Sequence, residues 1–195
     1  MAIYSLQHKS IGLSTHPPGT AAAHIRYIMR AGTVRKTLVN GYAGDEISDI
    51  VRAINKAEKV ERRNARMLDK IMVALPLELT EGQREKAVTL FLKELTDDQV
   101  PWVAAFHDLG KDASNPHSHI AIRDRHLETG RVYCDLNKQG STQKIRVLWQ
   151  DVLNRVLAES GVDVRVDHRS LQDQGIDRKP GKHQGPIFPK KTAKK

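Results

Sequence analysis

The chain has 195 residues, enough for one compact domain with a tail, and its 39% hydrophobic content suffices for an ordinary core. A single cysteine, Cys134, excludes an intramolecular disulfide framework, and no apolar run approaches the roughly 18–20 residues that a membrane span requires. The formal charge of +9 favours a polyanionic partner, because each neutralised phosphate releases condensed counterions. Part of that excess sits in the tail, at Lys190, Lys191, Lys194 and Lys195. The opening MAIYSLQHKS lacks the apolar core of a secretory signal, so the chain reads as cytoplasmic, with no membrane insertion.

Residues 2–6 read as a short strand, with Ile3 and Tyr4 suited to a sheet. A turn at Pro17, Pro18 and Gly19 precedes a helix over residues 20–30, which Thr20 can cap and Gly32 ends. Residues 45–68 carry long helical character: Ile47, Ile50, Val51 and Ile54 recur at helical spacing, and beyond Ala57 the stretch becomes mostly charged. Residues 70–75 form a strand that Pro76 ends, and Thr80 with Gln83 makes a capping box for a helix running to about Leu95. A strand over residues 102–107, a polar loop over 108–116 and a second strand over 117–123 follow. Residues 141–160 give the clearest helix, with Ile145, Leu148, Trp149, Val152, Leu153 and Val156 on one face and Gly161 as its stop. Alternation over residues 162–167 predicts a last strand. After His168 the chain is polar and rich in Gly and Pro. Strands interspersed with helices and hairpin-like joins give an α+β fold, an antiparallel β-sheet flanked by helices.

Three histidines carry the chemistry. In a strand, residues two apart share a face and stand roughly 7 Å apart, so His117 and His119 can aim both imidazoles at one point. If the strand before them pairs antiparallel, His107 ends it beside them. Three imidazoles leave coordination positions open, which is the catalytic pattern of a metal site. Neutral imidazole suits Mn²⁺, Co²⁺, Ni²⁺ or Zn²⁺ better than Mg²⁺, which prefers oxygen. Such an ion can polarise a phosphoryl oxygen or activate water, and the histidines alone do not separate the two roles.

Several segments together resemble the MobA/MobL relaxases, the MOBQ group of HUH endonucleases. They are MAIYSL, HIRYIMRAG, MVALPLELT, FHDLGKDASNPHSHIAI and DHRSLQDQGIDRKP, in family order over nearly the whole chain. The Asn-Pro-His-x-His core combined with the closing DHRS…DQGID segment makes the resemblance specific. It implies a permuted ferredoxin-like or RRM-like palm over residues 1–183, followed at 184–195 by a basic tail or linker. It implies Tyr27 as nucleophile, His107, His117 and His119 as ligands of a divalent metal (Mn²⁺ or Mg²⁺ foremost, with Zn²⁺, Co²⁺ or Ni²⁺ as alternatives), and Glu78 as a glutamate near the site. Glu78 would accept the tyrosine proton or orient a ligand histidine. The implied activity is nicking of one strand at a plasmid transfer origin (oriT), through a 5′-phosphotyrosyl intermediate that later rejoins the strand. The implied partners are single-stranded and hairpin DNA at oriT, accessory relaxosome proteins, a type IV coupling protein and a type IV secretion system. One departure is the loop between His107 and His117, slightly longer than in relatives.

A phenol titrates near pH 10, so an attacking tyrosine needs a base or a nearby cation. Arg26 and Arg30 on the Tyr27 helix, Arg123 and Arg125 after the metal strand, and Arg169 in the DHRS segment are candidate phosphate contacts. The rival readings are a rolling-circle initiator or transposase with the same chemistry, a metal-dependent hydrolase using water, and a basic DNA-binding protein without catalysis. The DQGID segment argues against the first pair.

Overall fold

In a computed structural model of the chain, residues 4–109 and 112–177 are described. Five strands and four helices follow one another along them, with β4 and β5 consecutive: β1 (Leu6–Gly12), α1 (Thr20–Ile28), β2 (Lys36–Asn40), α2 (Ile47–Val60), β3 (Arg66–Ala74), α3 (Glu81–Thr96), β4 (Trp102–His107), β5 (His117–Ile122) and α4 (Ser141–Glu159). The strands form one sheet in the order β1-β3-β5-β4-β2, and every neighbouring pair is antiparallel. The expected α+β arrangement is therefore what the chain adopts.

Helices cover both faces of this sheet. Leu6, Ile71, Val73, Trp102, Ala104, Phe106, Ile120 and Ile122 point to one side, where they meet Phe91 and Leu92 of α3 and Trp149, Val152 and Val156 of α4. The Phe91 and Trp149 rings pack edge to face at 5.2 Å, the arrangement their quadrupoles favour. On the other side Ile11, Leu68, Val103, Ala105 and Ala121 meet Ile25 and Ile28 of α1 and Ile50 and Ile54 of α2. Thr80 opens α3 through the capping box read from the sequence, accepting from Gln83 N while Gln83 accepts from Thr80 N.

Four local expectations need correction. The first strand begins at Leu6, where residues 2–6 had been expected to form it, and runs to Gly12 against β3. Thr20 does not cap α1: Gly19 is the N-cap residue, in the left-handed region at φ 79°, and the Thr20 hydroxyl donates to Pro17 O instead. The helix expected over 45–68 stops at Val60. Glu61 leaves the helix in extended conformation and accepts from Arg123 and Arg125, and the chain re-enters the sheet at Arg66. Residues 162–167 form no strand. Their alternation reflects an extended segment hung on α4, where the Asn154 side chain both donates to Val166 O (2.9 Å) and accepts from Val166 N (2.8 Å). A side-chain amide thus satisfies the backbone groups that a sheet neighbour would otherwise take. The edge strand β2 has no counterpart in the sequence reading. The tail expected at 184–195, and with it the boundary at 183, lies outside the described residues.

Candidate active site

One end of the sheet gathers the reactive side chains. His107 closes β4 and His117 opens β5, and the two are direct partners in the β4–β5 ladder. His119, two residues on, pairs with Ala105 and shares their face. Their ring centroids are 5.3 Å (107–117), 4.7 Å (107–119) and 5.0 Å (117–119) apart. One ring nitrogen from each comes within 4.8 Å of the others. The antiparallel pairing of β4 with β5, the condition set in the sequence reading, is what makes them converge.

Two backbone carbonyls fix the rings. His107 Nε2 donates to Ile28 O at 2.7 Å, and His117 Nδ1 donates to Asn115 O at 2.9 Å. A carbonyl only accepts, so these contacts set both tautomers and leave His107 Nδ1 and His117 Nε2 with free lone pairs. Burial pushes the pKa of His119 down to about 3, helped by the charges its neighbours can carry, and burial also lowers that of His107. Both shifts favour the neutral form that ligates a metal. Three convergent, oriented nitrogens with no carboxylate among them fit a divalent cation that accepts imidazole and keeps positions open for other ligands.

The contact to Ile28 joins the metal-ligand cluster to α1, and α1 carries Tyr27. The Tyr27 ring meets His119 edge-on at 6.3 Å and stacks with His24 at 6.5 Å, while 54% of the residue's surface stays exposed. Arg30 curls back over it: its guanidinium lies 4.2 Å from the ring centroid, and Nη1 donates to Tyr27 O. A helix face built from Ala21, Ala22, Ile25 and Ile28 is buried, which forces Tyr27 to the edge where the sheet face opens.

The remaining expected residues are spread more widely. Glu78 lies half-buried in the β3–α3 connection beyond the same sheet end, since Leu75 N already bonds Pro116 O, but it is not one of the convergent ligands. For His107 and His117 the orienting role falls to the Ile28 and Asn115 carbonyls. Arg26 lines a cleft of about 810 Å³ between α1 and α2, together with Arg52, Lys56 and Lys59. Arg123 and Arg125 leave the far end of β5 and are both paired to Glu61. Arg169 is exposed and bound to Asp167. Sequence reasoning missed His24, Lys9 and Lys70, which line a depression reaching His119.

A family model for the MobA/MobL family matches residues 19–133 and 126–194. Mobilization protein A of Escherichia coli is 31% identical over 215 residues, covering 95% of this chain and 30% of that protein. The probable mobilization protein MobA of Bifidobacterium longum (strain NCC 2705) is 30% identical, covering 81% of this chain and 35% of its own length. This chain thus spans about a third of either relative. Among solved structures, one from work on vancomycin resistance transfer in Staphylococcus aureus superposes with a TM-score of 0.68 at 19% identity, covering 87% of this chain and all (100%) of that one. The Mn-bound MobM relaxase domain on pMV158 oriT DNA superposes with a TM-score of 0.54 at 14% identity, covering 92% and 96%. At such identities the likeness is one of fold. Among the described residues no helix is long and apolar enough to cross a membrane. The match over most of the chain, in sequence and in the order of its motifs, places it in the MobA/MobL family.

Proposed function

We propose that this chain is a relaxase domain that nicks one DNA strand at a plasmid transfer origin in the cytoplasm and later rejoins it. The observation that carries this reading is the edge-on contact of the exposed Tyr27 ring with His119, at the mouth of a three-imidazole cluster. A nucleophile and a set of metal ligands around one opening suit attack on a phosphodiester better than hydrolysis by water.

Tyr27 Oη forms a bond to phosphorus as the bond from phosphorus to the 3′-oxygen breaks. The strand keeps a 5′-phosphotyrosyl linkage and the 3′-oxygen leaves as a hydroxyl, taking up a proton equivalent to the one the phenol released. Bond type is conserved, so the reverse attack by a 3′-hydroxyl rejoins the strand without an energy source. His107, His117 and His119 would hold a divalent cation, which supplies Lewis-acid stabilisation of the non-bridging phosphate oxygens. Mn²⁺ is the ion we favour, ahead of Mg²⁺ because of the all-nitrogen donor set, with Zn²⁺, Co²⁺ or Ni²⁺ as alternatives. The Arg30 guanidinium, beside the phenol, offsets charge that develops on Oη. Glu78 would accept the phenolic proton or orient a ligand histidine. Arg26 is open to the flanking strand, while Arg169 would have to leave Asp167, and Arg123 and Arg125 would have to leave Glu61, to join it. The partners under this reading are single-stranded and hairpin oriT DNA, accessory relaxosome proteins, a type IV coupling protein and a secretion channel.

A suicide oligonucleotide carrying the cognate origin tests the reading. In the presence of Mn²⁺ the wild type should form a covalent adduct resolvable under denaturing conditions, and Tyr27→Phe should form none. Strand cleavage without an adduct, or an adduct that persists in Tyr27→Phe, would overturn it.

A further inference from the structure

The sheet face that carries the histidines is only partly roofed by α1 and α2. Gln7, Met72, His119 and Ala105 stand in one row across β1, β3, β5 and β4, and Lys9, Lys70, Ala121 and Val103 form the next row. Same-facing rows lie roughly 7 Å apart. Lys9 and Lys70 are direct partners in the β1–β3 ladder. Like charges placed opposite one another destabilise a sheet, and a cross-strand pair normally avoids them. Among the described residues, neither lysine has an ion pair or side-chain hydrogen bond that would offset the repulsion.

The two lysines border a depression of about 180 Å³ shared with Gln7, His24, Met72 and His119. A water molecule occupies about 30 Å³ of liquid, so the hollow has room for a phosphodiester group with residual solvent. His24 forms its wall from α1, beside Tyr27. Lys9 and Lys70, on adjacent strands, form its floor. His119 lines the depression and is also one of the three convergent histidines.

We infer that the Lys9–Lys70 pair is a phosphate seat for the nicked strand, holding a phosphodiester that flanks the scissile one as the strand crosses the open sheet face. The inference rests on the reading that DNA is cut at Tyr27, but its measurement does not depend on cutting. A strand lying across two adjacent rows meets the histidines with one phosphate and the lysines with a neighbour. Holding that neighbour fixes the register of the scissile group, which makes Lys9 and Lys70 positioning residues. A bound phosphate relieves the repulsion between them.

The test is salt-dependent binding of a labelled 20-nucleotide oligo(dT) to the full chain with Mn²⁺. Lys9→Gln with Lys70→Gln should weaken binding roughly 10-fold at low salt and flatten the slope of log K against log[salt] by about 1. Lys86→Gln, which removes a lysine from the α3 surface where it pairs with Glu159, should leave the slope unchanged. A slope unaltered in the double variant overturns the seat, even where the Tyr27 adduct forms normally. A flattened slope with no adduct in any assay sinks the nicking reading and keeps the seat. Single methylphosphonates around the mapped nick then locate it: neutralising one flanking phosphate should weaken the wild type and leave the double variant unaffected. Equal losses in both proteins at every position would overturn the flanking assignment.

Discussion

On the α3–α4 face of the sheet, the strands present large apolar side chains, from Leu6 through Ile71 and Ile120 to Phe106, and two helices cover them. On the α1–α2 face, small residues such as Ala105 and Ala121 lie under the helices, and the uncovered part presents Gln7, Lys9, Lys70 and Met72 and reaches the half-buried His117 and His119. The same five strands supply both faces, because alternate residues of a strand point opposite ways. One side is therefore given wholly to packing, while the other divides between a second apolar core under α1 and α2 and the reactive side chains. Changes on the two faces should separate these properties cleanly.

The largest separation is expected at the ligands. Added Mn²⁺ at ~100 times its dissociation constant should stabilise the wild type by about 2.7 kcal/mol through mass action. His117→Ala with His119→Ala should abolish that gain while leaving the melting temperature of the metal-free protein close to the wild-type value. Differential scanning calorimetry with and without Mn²⁺ reads both. A metal-induced shift that survives in the double variant would place the ion elsewhere.

Phe91→Ala probes the opposite face. Phe91 is fully buried against Trp149, so its removal leaves a cavity and should cost about 3–5 kcal/mol, seen as a lower midpoint in urea. Affinity for Mn²⁺ measured below the melting transition should not change. Were Phe91→Ala to weaken metal binding as much as it weakens the fold, the two faces would be coupled through the sheet. Asn154→Ala should act the same way on a smaller scale. It removes two hydrogen bonds to Val166 and should cost about 1–3 kcal/mol, with protection of the Val166 amide lost in hydrogen exchange.

The division between the faces also explains what the sequence made legible. The closed face was readable because its periodicity is unbroken: the α3 capping box, the apolar stripe of α4 and the all-buried β4 were each found close to their observed limits. The metal triad was readable because a strand fixes His117 and His119 to one side. β1 was misread because the closed-face positions after Leu6 are His8 and Ser10, with His8 bonded to Asp69 and Thr142, so the strand lacks the apolar alternation that marks a half-buried one. The two carbonyls that orient His107 and His117 were invisible, since any residue at position 28 or 115 supplies one. The false strand at 162–167 arose from Val166, whose burial depends on an asparagine on α4 and on no ladder.

The smallest predicted effect is the most diagnostic, because its sign is unusual. Most substitutions destabilise, yet Lys70→Gln should stabilise the DNA-free protein by ~0.2–1 kcal/mol, since it removes a like charge directly opposite Lys9. Glutamine keeps most of the aliphatic packing, so the gain isolates the electrostatic part. Raising the salt concentration screens the repulsion in the wild type and should shrink the difference between the two melting temperatures. Single-stranded DNA should reverse the order, stabilising the wild type more than the variant. A Lys70→Gln protein that is less stable at every salt concentration would show that Lys70 serves the fold, and the open face would lose its standing as a surface kept at a cost for its ligand.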